Sequence, residues 1–465
     1  MHKQKLSNKL ILITTLAEYQ TSFWIDIGKE IIKSGFQVAF VSFDDRSTEM
    51  LLKNNFKTYY LKPNNFESNC EDKVFDKALD DLGLSNFAFW SSHERITFGL
   101  NDKQLQIKFL ECKKLVDRSF SDLYRKYGDE IVLVQELGGF LSNIVSFFAA
   151  RKLGIANWFI EPSFFRGKLF FLKNSFSAIK INTKSQIRTS KDLLRYLRLA
   201  RQNKSIVIPQ KDKHQYTSPI TKILNTKNLI RFFTKTIDKY VLGKRYQFGY
   251  IGRHVFTHLK MLKNSYFLQS VYTKDQSLNN IIYYPLHVPC DMALTIRSPE
   301  YLDQLSLIEF ILRNIPDRYK LAVKEHPAMI GAVDAQRLIA LKKQYKNLII
   351  LNPAINNFDV LELADLVISV NSKAGGEAVI LKKPVIVLGD AFYKNSPYIF
   401  SIDRLSKLKH GLNEALKSKK VDKNFNKIAN YFERVWRTSH SGELYISDVK
   451  NISIFTKSLT ETVLK

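Results

Sequence analysis

Two short runs hold most of the residue types that could do chemistry. The first is Lys324-Glu325-His326-Pro327, which directly follows an apolar strand pattern. The proline forces the histidine into extended geometry and keeps the strand from running straight on into a helix. Lys324 and His326 are thereby held at the carboxyl end of a strand, where open α/β sheets bind ligands. An imidazole there donates to a phosphate or transfers a proton, whereas a lone loop histidine is more often structural than catalytic. The second run is Ser369-Val370-Asn371-Ser372-Lys373-Ala374-Gly375-Gly376-Glu377. A buried strand ends in small polar residues and two glycines open a helix. Such a turn leaves backbone N–H groups and two hydroxyls at a positive helix terminus, an anion site suited to phosphate. Plain N-capping by Asn371 or Ser372 explains one polar residue but not the whole run. Glu377, one turn into the helix, is placed to reach a ribose or sugar hydroxyl.

Three further segments are candidates. In Pro285-Leu286-His287-Val288-Pro289-Cys290-Asp291 two prolines pin an irregular stretch at a strand end, leaving His287 and Asp291 near a crevice between domains. The alternative is a linker with a helix-capping aspartate. Gly138-Gly139, after Gln135-Glu136-Leu137, allow backbone to approach a ligand closely. Glu161, ahead of Pro162, is a general acid or base if buried and a solvated loop acid if not.

The elements that must position these residues follow α/β grammar. Leu10–Thr15 reads as a buried strand, Phe23–Ser34 as an amphipathic helix stopped by Gly35, and Gln37–Ser42 as a second strand. Further N-terminal elements are a strand at 58–61, a helix over 101–127 and a strand at 130–135. A helix opened by Gly138-Gly139 and running to Ala150 follows, then a strand at 156–160. The grammar resumes at 280, with strands at 281–286, 320–324, 348–351, 366–370 and 385–388. Helices separate them at 299–314, 333–345, 357–364 and 375–381. The chain after about 405 reads as helical, with a basic amphipathic end.

At 465 residues the chain suits two domains of about 150 to 200 residues each. Its net charge of +27 implies a polyanionic partner: nucleic acid, an anionic membrane surface or phosphorylated substrates. A Lys-, Asn- and Ile-rich composition reflecting an AT-rich genome accounts for part of that charge. Much of it sits in 166–263, where roughly two dozen basic residues face only a few acids. Aromatics such as Phe170, Phe171, Tyr196, Phe232, Phe233 and Tyr246 are interleaved with them. Cys70, Cys112 and Cys290 lie far apart and read as reduced thiols of a cytoplasmic protein. Leu10–Leu16 is too short for a membrane span, and no small-residue cleavage site follows it.

The stretch Lys324–Tyr393 resembles the capsule polysaccharide biosynthesis family, the Kdo-transferase-like glycosyltransferases of bacteria. Lys324–Pro327, Leu363–Ala378 and Lys383–Tyr393 carry the resemblance. Pro285–Asp291 echoes the family's upstream segment with His287 in place of a glutamine, and Gly138-Gly139 and Glu161 echo its N-terminal half loosely. The resemblance implies a GT-B-like α/β architecture, two Rossmann-like domains facing a cleft. The expected layout is an acceptor domain over 8–165, a basic, mainly helical linker or insertion over 166–275, a donor domain over 276–430 and a helical tail over 431–465. The implied activity is transfer of a sugar, Kdo from CMP-Kdo in the best-known members, from a nucleotide-sugar to a glycan or glycolipid. By resemblance Asp291 is the nucleophile or base, Glu161 an acid/base partner, and His326, Lys324, Asn371 and Ser372 hold the nucleotide phosphate. The resemblance also implies no cofactor beyond the donor and no metal, and no Asp-x-Asp motif is present to contradict it. A peripheral location at the inner face of the plasma membrane suits the basic segment, and no recognisable nucleic-acid module accompanies it. Partner enzymes of polysaccharide assembly are further candidates. The alternatives are a nucleotide-sugar epimerase or a polyol-phosphate polymer transferase on the same architecture, or a non-catalytic basic protein binding membrane or nucleic acid.

Overall fold

Six consecutive apolar or β-branched residues, Leu10–Thr15, form strand β1 and are all buried, as a central strand covered on both faces requires. The computed structural model describes residues 8–60, 72–183, 187–204, 221, 225–273, 279–418 and 424–464. Cys70, Leu61 and part of the basic stretch lie outside them. Strands β2 (Gln37–Ser42), β3 (Lys57–Tyr59), β4 (Ile131–Glu136) and β5 (Ala156–Pro162) join β1 in parallel, in the spatial order β3-β2-β1-β4-β5. Strand β6 (Lys168–Lys173) then pairs antiparallel with β5.

The second sheet is parallel throughout. It contains β7 (Tyr272–Thr273), β8 (Ile281–Pro285), β9 (Lys320–Lys324), β10 (Leu348–Leu351), β11 (Ala364–Ser369), β12 (Val385–Val387) and β13 (Ile399–Ser401). Their order is β13-β12-β11-β8-β9-β10-β7. Each sheet therefore reverses its winding beside its first long strand, β1 or β8, and a doubly wound sheet opens a ligand crevice at that point. The architecture is the expected one: two Rossmann-like sheets facing a cleft.

Two segments differ from the sequence-based layout. Lys168–Lys173 belongs to the first sheet rather than to a basic linker, because Gly167, at φ 75°, turns the chain back on itself after β5. Phe170 and Phe171 are accordingly core residues. The chain end is not a separate tail. Its strand β14 (His440–Ser441) pairs with β6, and the helix Val449–Val463 packs on the helix Glu18–Lys33. The cause is an apolar stripe: Phe455 sits edge-on to Phe23 and Trp24 with ring centroids 5.1 and 5.8 Å away. Among the described residues no helix is long and apolar enough to cross a membrane.

Candidate functional site

The segments that leave the carboxyl ends of β4, β5, β8, β9, β10, β11 and β12 converge on one cavity of about 730 Å³ between the sheets, a volume within the usual range for small-ligand sites. It is lined by Glu161, His287, Asp291, Lys324, His326, Asn371, Ser372 and Glu377, so eight of the twelve candidate residues come together. Ser369, Gly375, Gly138 and Gly139 do not line it. Ser369, Gly375 and Gly139 have packing roles instead. Ser369 Oγ is buried 2.9 Å from Tyr393 Oη and accepts from the Ser372 N–H. A Cβ on Gly375 would lie 2.2 Å from that same Tyr393 oxygen, and one on Gly139 would lie 2.6 Å from the His93 ring.

The Lys324-Glu325-His326-Pro327 turn divides its labour. Glu325 is buried and accepts from Tyr272 Oη at 2.9 Å and the Gly331 N–H at 3.0 Å, which pins the turn to its surroundings. His326 caps the short 3₁₀ turn Pro327–Met329, its Nδ1 accepting from the Ala328 N–H. The proton of the neutral ring then sits on Nε2. Lys324 is buried and donates to the Ile355 carbonyl at 2.7 Å. Burial pushes its ammonium down to about 8 against the opposing pull of the Glu377 and Asp359 carboxylates. Glu377 itself accepts from Asn357 at 2.6 Å, and Asn357 accepts from the Tyr283 hydroxyl.

The second motif departs from the expected backbone cradle. Ser372 caps the helix Lys373–Ile380 through the Ala374 N–H, and the Gly375 N–H donates to the Ser372 carbonyl. With the Ser372 N–H held by Ser369, the turn uses much of its own donor set. Among the lining side chains, Lys324, Lys373 and Arg297 carry positive charge. Asn371 donates to the Ala293 carbonyl and Ser298 Oγ, so it ties the turn to the segment after Asp291. Its Oδ1 is buried and accepts from no described residue; His287 Nε2 is likewise without a partner. Such atoms cost about 1–3 kcal/mol each. Burial lowers the His287 imidazole, the nearby His326 adds to this and Asp291 opposes it. Asp291 is exposed and caps the short helix Met292–Thr295 through the Ala293 N–H at 3.0 Å.

Glu161 is half-buried with both oxygens engaged by Arg297, at 3.0 and 3.1 Å. Arg297 also donates to the Phe176 carbonyl at 2.7 Å, so it clamps the end of β5 to the second half of the chain. Lys373 reaches across as well, donating to the Ser163 carbonyl at 2.7 Å, and Asp390 accepts from the Ala178 N–H. Arg297, Lys373, Asn357 and Asp390 were not singled out from sequence. Lys373 lies inside a motif but reads as an ordinary solvated lysine, and Arg297 stands outside any motif. Among the described residues no three His, Cys, Asp or Glu side chains stand close enough together to hold a metal ion.

Comparison with known proteins adds four observations. Protein FixF of Sinorhizobium fredii is 30% identical over 114 residues, 24% of this chain and 27% of that protein, so the match spans about a quarter of its length. Among solved structures, the beta Kdo 2,7 transferase of Thermosulfurimonas dismutans KpsC is 15% identical, covering 77% of this chain and 95% of its own, with a TM-score of 0.36. The UDP-GlcNAc 2-epimerase of Methanocaldococcus jannaschii is 14% identical over 97% of this chain and 99% of its own, with a TM-score of 0.32. Residues 143–397, more than half of the chain, match the family described as capsule polysaccharide biosynthesis protein, and they include β8 to β12 with every strand end that brings the second sheet's residues to the cavity. The chain belongs to the capsule polysaccharide biosynthesis family.

Proposed function

We propose that the chain is a glycosyltransferase that moves a sugar from a nucleotide-linked donor to a glycan or lipid-linked acceptor during assembly of a bacterial surface polysaccharide. The observation that carries this is the convergence of strand ends from both sheets on one cavity holding Lys324, His326 and Asp291. Lys324, charged at neutral pH but poorly solvated, is suited to a phosphate, because an anion restores what burial removed. The acceptor hydroxyl attacks the anomeric carbon while Asp291 takes its proton. The bond from that carbon to the nucleotide phosphate breaks, and the leaving phosphate is met by Lys324 and by the N–H of His326. Glu161 positions rather than transfers protons, since Arg297 occupies both its oxygens.

On this reading the donor is a CMP-linked sugar such as CMP-Kdo, the reaction needs no metal, and the acceptor is presented at the inner face of the plasma membrane. A nucleotide that binds the folded state raises its apparent stability, by about 2.7 kcal/mol at a hundredfold excess over Kd. CMP, UDP and GDP are therefore screened by thermal shift, and the product from the matching nucleotide-sugar is identified. A glycoside supports the reading; free epimerised sugar or a phosphodiester replaces it with the other chemistries of this architecture. A chain that no nucleotide stabilises rules it out.

A further inference from the structure

The helix Thr226–Tyr240 is turned inside out relative to an ordinary surface helix. The described contact it makes with the protein is polar: Asp238 is buried and bridges to Arg46 at 2.9 Å, and Lys235 is half-buried. Its outward side carries Ile230, Phe233, Ile237 and Tyr240, spaced three, four and three residues apart and so aligned on one face. Ile230 is 65% exposed, Phe233 61% and Tyr240 67%. The helix Ile251–Gln269 packs by an apolar side but also leaves apolar side chains bare. Met261 and Leu268 are buried and Asn264 donates to the Gly331 and Val333 carbonyls at 2.9 Å, while Phe256 (58%) and Leu259 stand out in solvent beside Lys260 and Lys263. Soluble proteins rarely leave such stripes bare unless something covers them.

Charge decides what that is. Residues 226–269 hold nine lysines and arginines and a single acid, Asp238, which is already paired. A second copy of the chain would bring like charge against like. Nucleic acid would draw on aromatic faces, whereas half of this surface is aliphatic. Apolar side chains ringed by lysines whose stems can extend past them match the boundary between headgroups and acyl chains. We propose that the helices Thr226–Tyr240 and Ile251–Gln269 form a docking surface for an anionic lipid bilayer, with Ile230, Phe233, Phe256 and Leu259 entering the acyl region and Lys260 and Lys263 meeting phosphate headgroups. The inference rests on the reading of a membrane-held acceptor and names the surface that would bring the cleft to it.

The test is co-sedimentation of the full chain with vesicles of phosphatidylcholine plus phosphatidylglycerol and with vesicles of phosphatidylcholine alone, without donor or acceptor. The anionic vesicles are expected to pellet the protein and the neutral ones to leave it in solution. Ile230→Ser/Phe233→Ser/Phe256→Ser, which alters only exposed positions, is expected to weaken binding at least about tenfold with an unchanged melting temperature. Lys260→Glu/Lys263→Glu is expected to weaken it and to flatten its salt dependence. Wild-type binding by the triple variant overturns the proposal, as does absence of binding to anionic vesicles. A dimer abolished by the triple variant in a chain that ignores vesicles would assign the surface to a second copy, and single-stranded RNA binding with that behaviour would assign it to nucleic acid. Nucleotide stabilisation is read on the same samples. Lost vesicle binding with nucleotide binding kept sinks only this inference, and the reverse sinks only the transferase reading.

Discussion

Lys324 is the residue on which pH should act most visibly. Its folded value of about 8 lies below the ~10.4 of an unfolded lysine. Between the two the unfolded chain binds the extra proton, so stability rises with pH across that window. Denaturant midpoints at about pH 7 and about pH 10 should show a rise that is absent in Lys324→Met. If Lys324 holds phosphate, nucleotide affinity should fall above pH 8 by up to about tenfold per unit in the wild type and stay flat in Lys324→Met. Asp291→Asn is a cleaner probe of proton transfer, because asparagine caps the helix Met292–Thr295 as well as aspartate does. Turnover should drop by about 10² to 10⁴-fold while nucleotide Kd and melting temperature hold; an unchanged turnover removes Asp291 from the reaction. Gly375→Ala should act on stability alone. Its methyl would meet Tyr393 Oη, which is fixed by Ser369 and the Ser372 carbonyl, at a cost of about 1–3 kcal/mol in a denaturant titration.

Among the elements, the central strands were the most legible. Leu10–Thr15, Gln37–Ser42 and Leu348–Leu351 have the bounds read from sequence, because strands buried on both faces are near-continuous apolar runs closed by polar residues. Strand β6 was misread as part of a basic linker because lysines flank its apolar run and its partner β5 supplies the context. The long helix expected over 299–314 is a 3₁₀ turn, Pro299–Tyr301, followed by the helix Gln304–Leu312, since Asp303 caps a fresh start through the Ser306 N–H. Between elements, the Glu161–Arg297 pair ties β5 to the chain after Asp291. Arg297→Met should strand a half-buried carboxylate and lower stability by about 3–5 kcal/mol, whereas Arg297→Met/Glu161→Met should recover a good part of that loss. Equal melting temperatures for the two variants would show that the pair does not act as a unit.

For the whole molecule, the helix Val449–Val463 makes the last residues of the chain part of the first sheet's packing, 455 positions from their partner in the case of Lys9 and Leu464. Phe455→Ala should cost about 3–5 kcal/mol and unfold the N-terminal half first, seen as earlier hydrogen exchange in Leu10–Thr15 than in Ile281–Pro285. Simultaneous exchange of both strands would overturn this and mean that the cleft-spanning bonds of Lys373, Arg297 and Asp390 make the halves unfold as one unit.

By itself the sequence determined the two α/β halves, their strand ends and the family, because hydrophobic period, proline and glycine act over a few residues and leave a local trace. Eight of the twelve candidate side chains reach the cavity for the same reason: they follow strands, and parallel strands deliver their carboxyl ends to one edge. Only the tertiary structure decided which of them line the cavity. That Gly375 packs against Tyr393, that Arg297 engages both oxygens of Glu161, and that a charged helix leaves its apolar side chains bare are all set by partners far away along the chain.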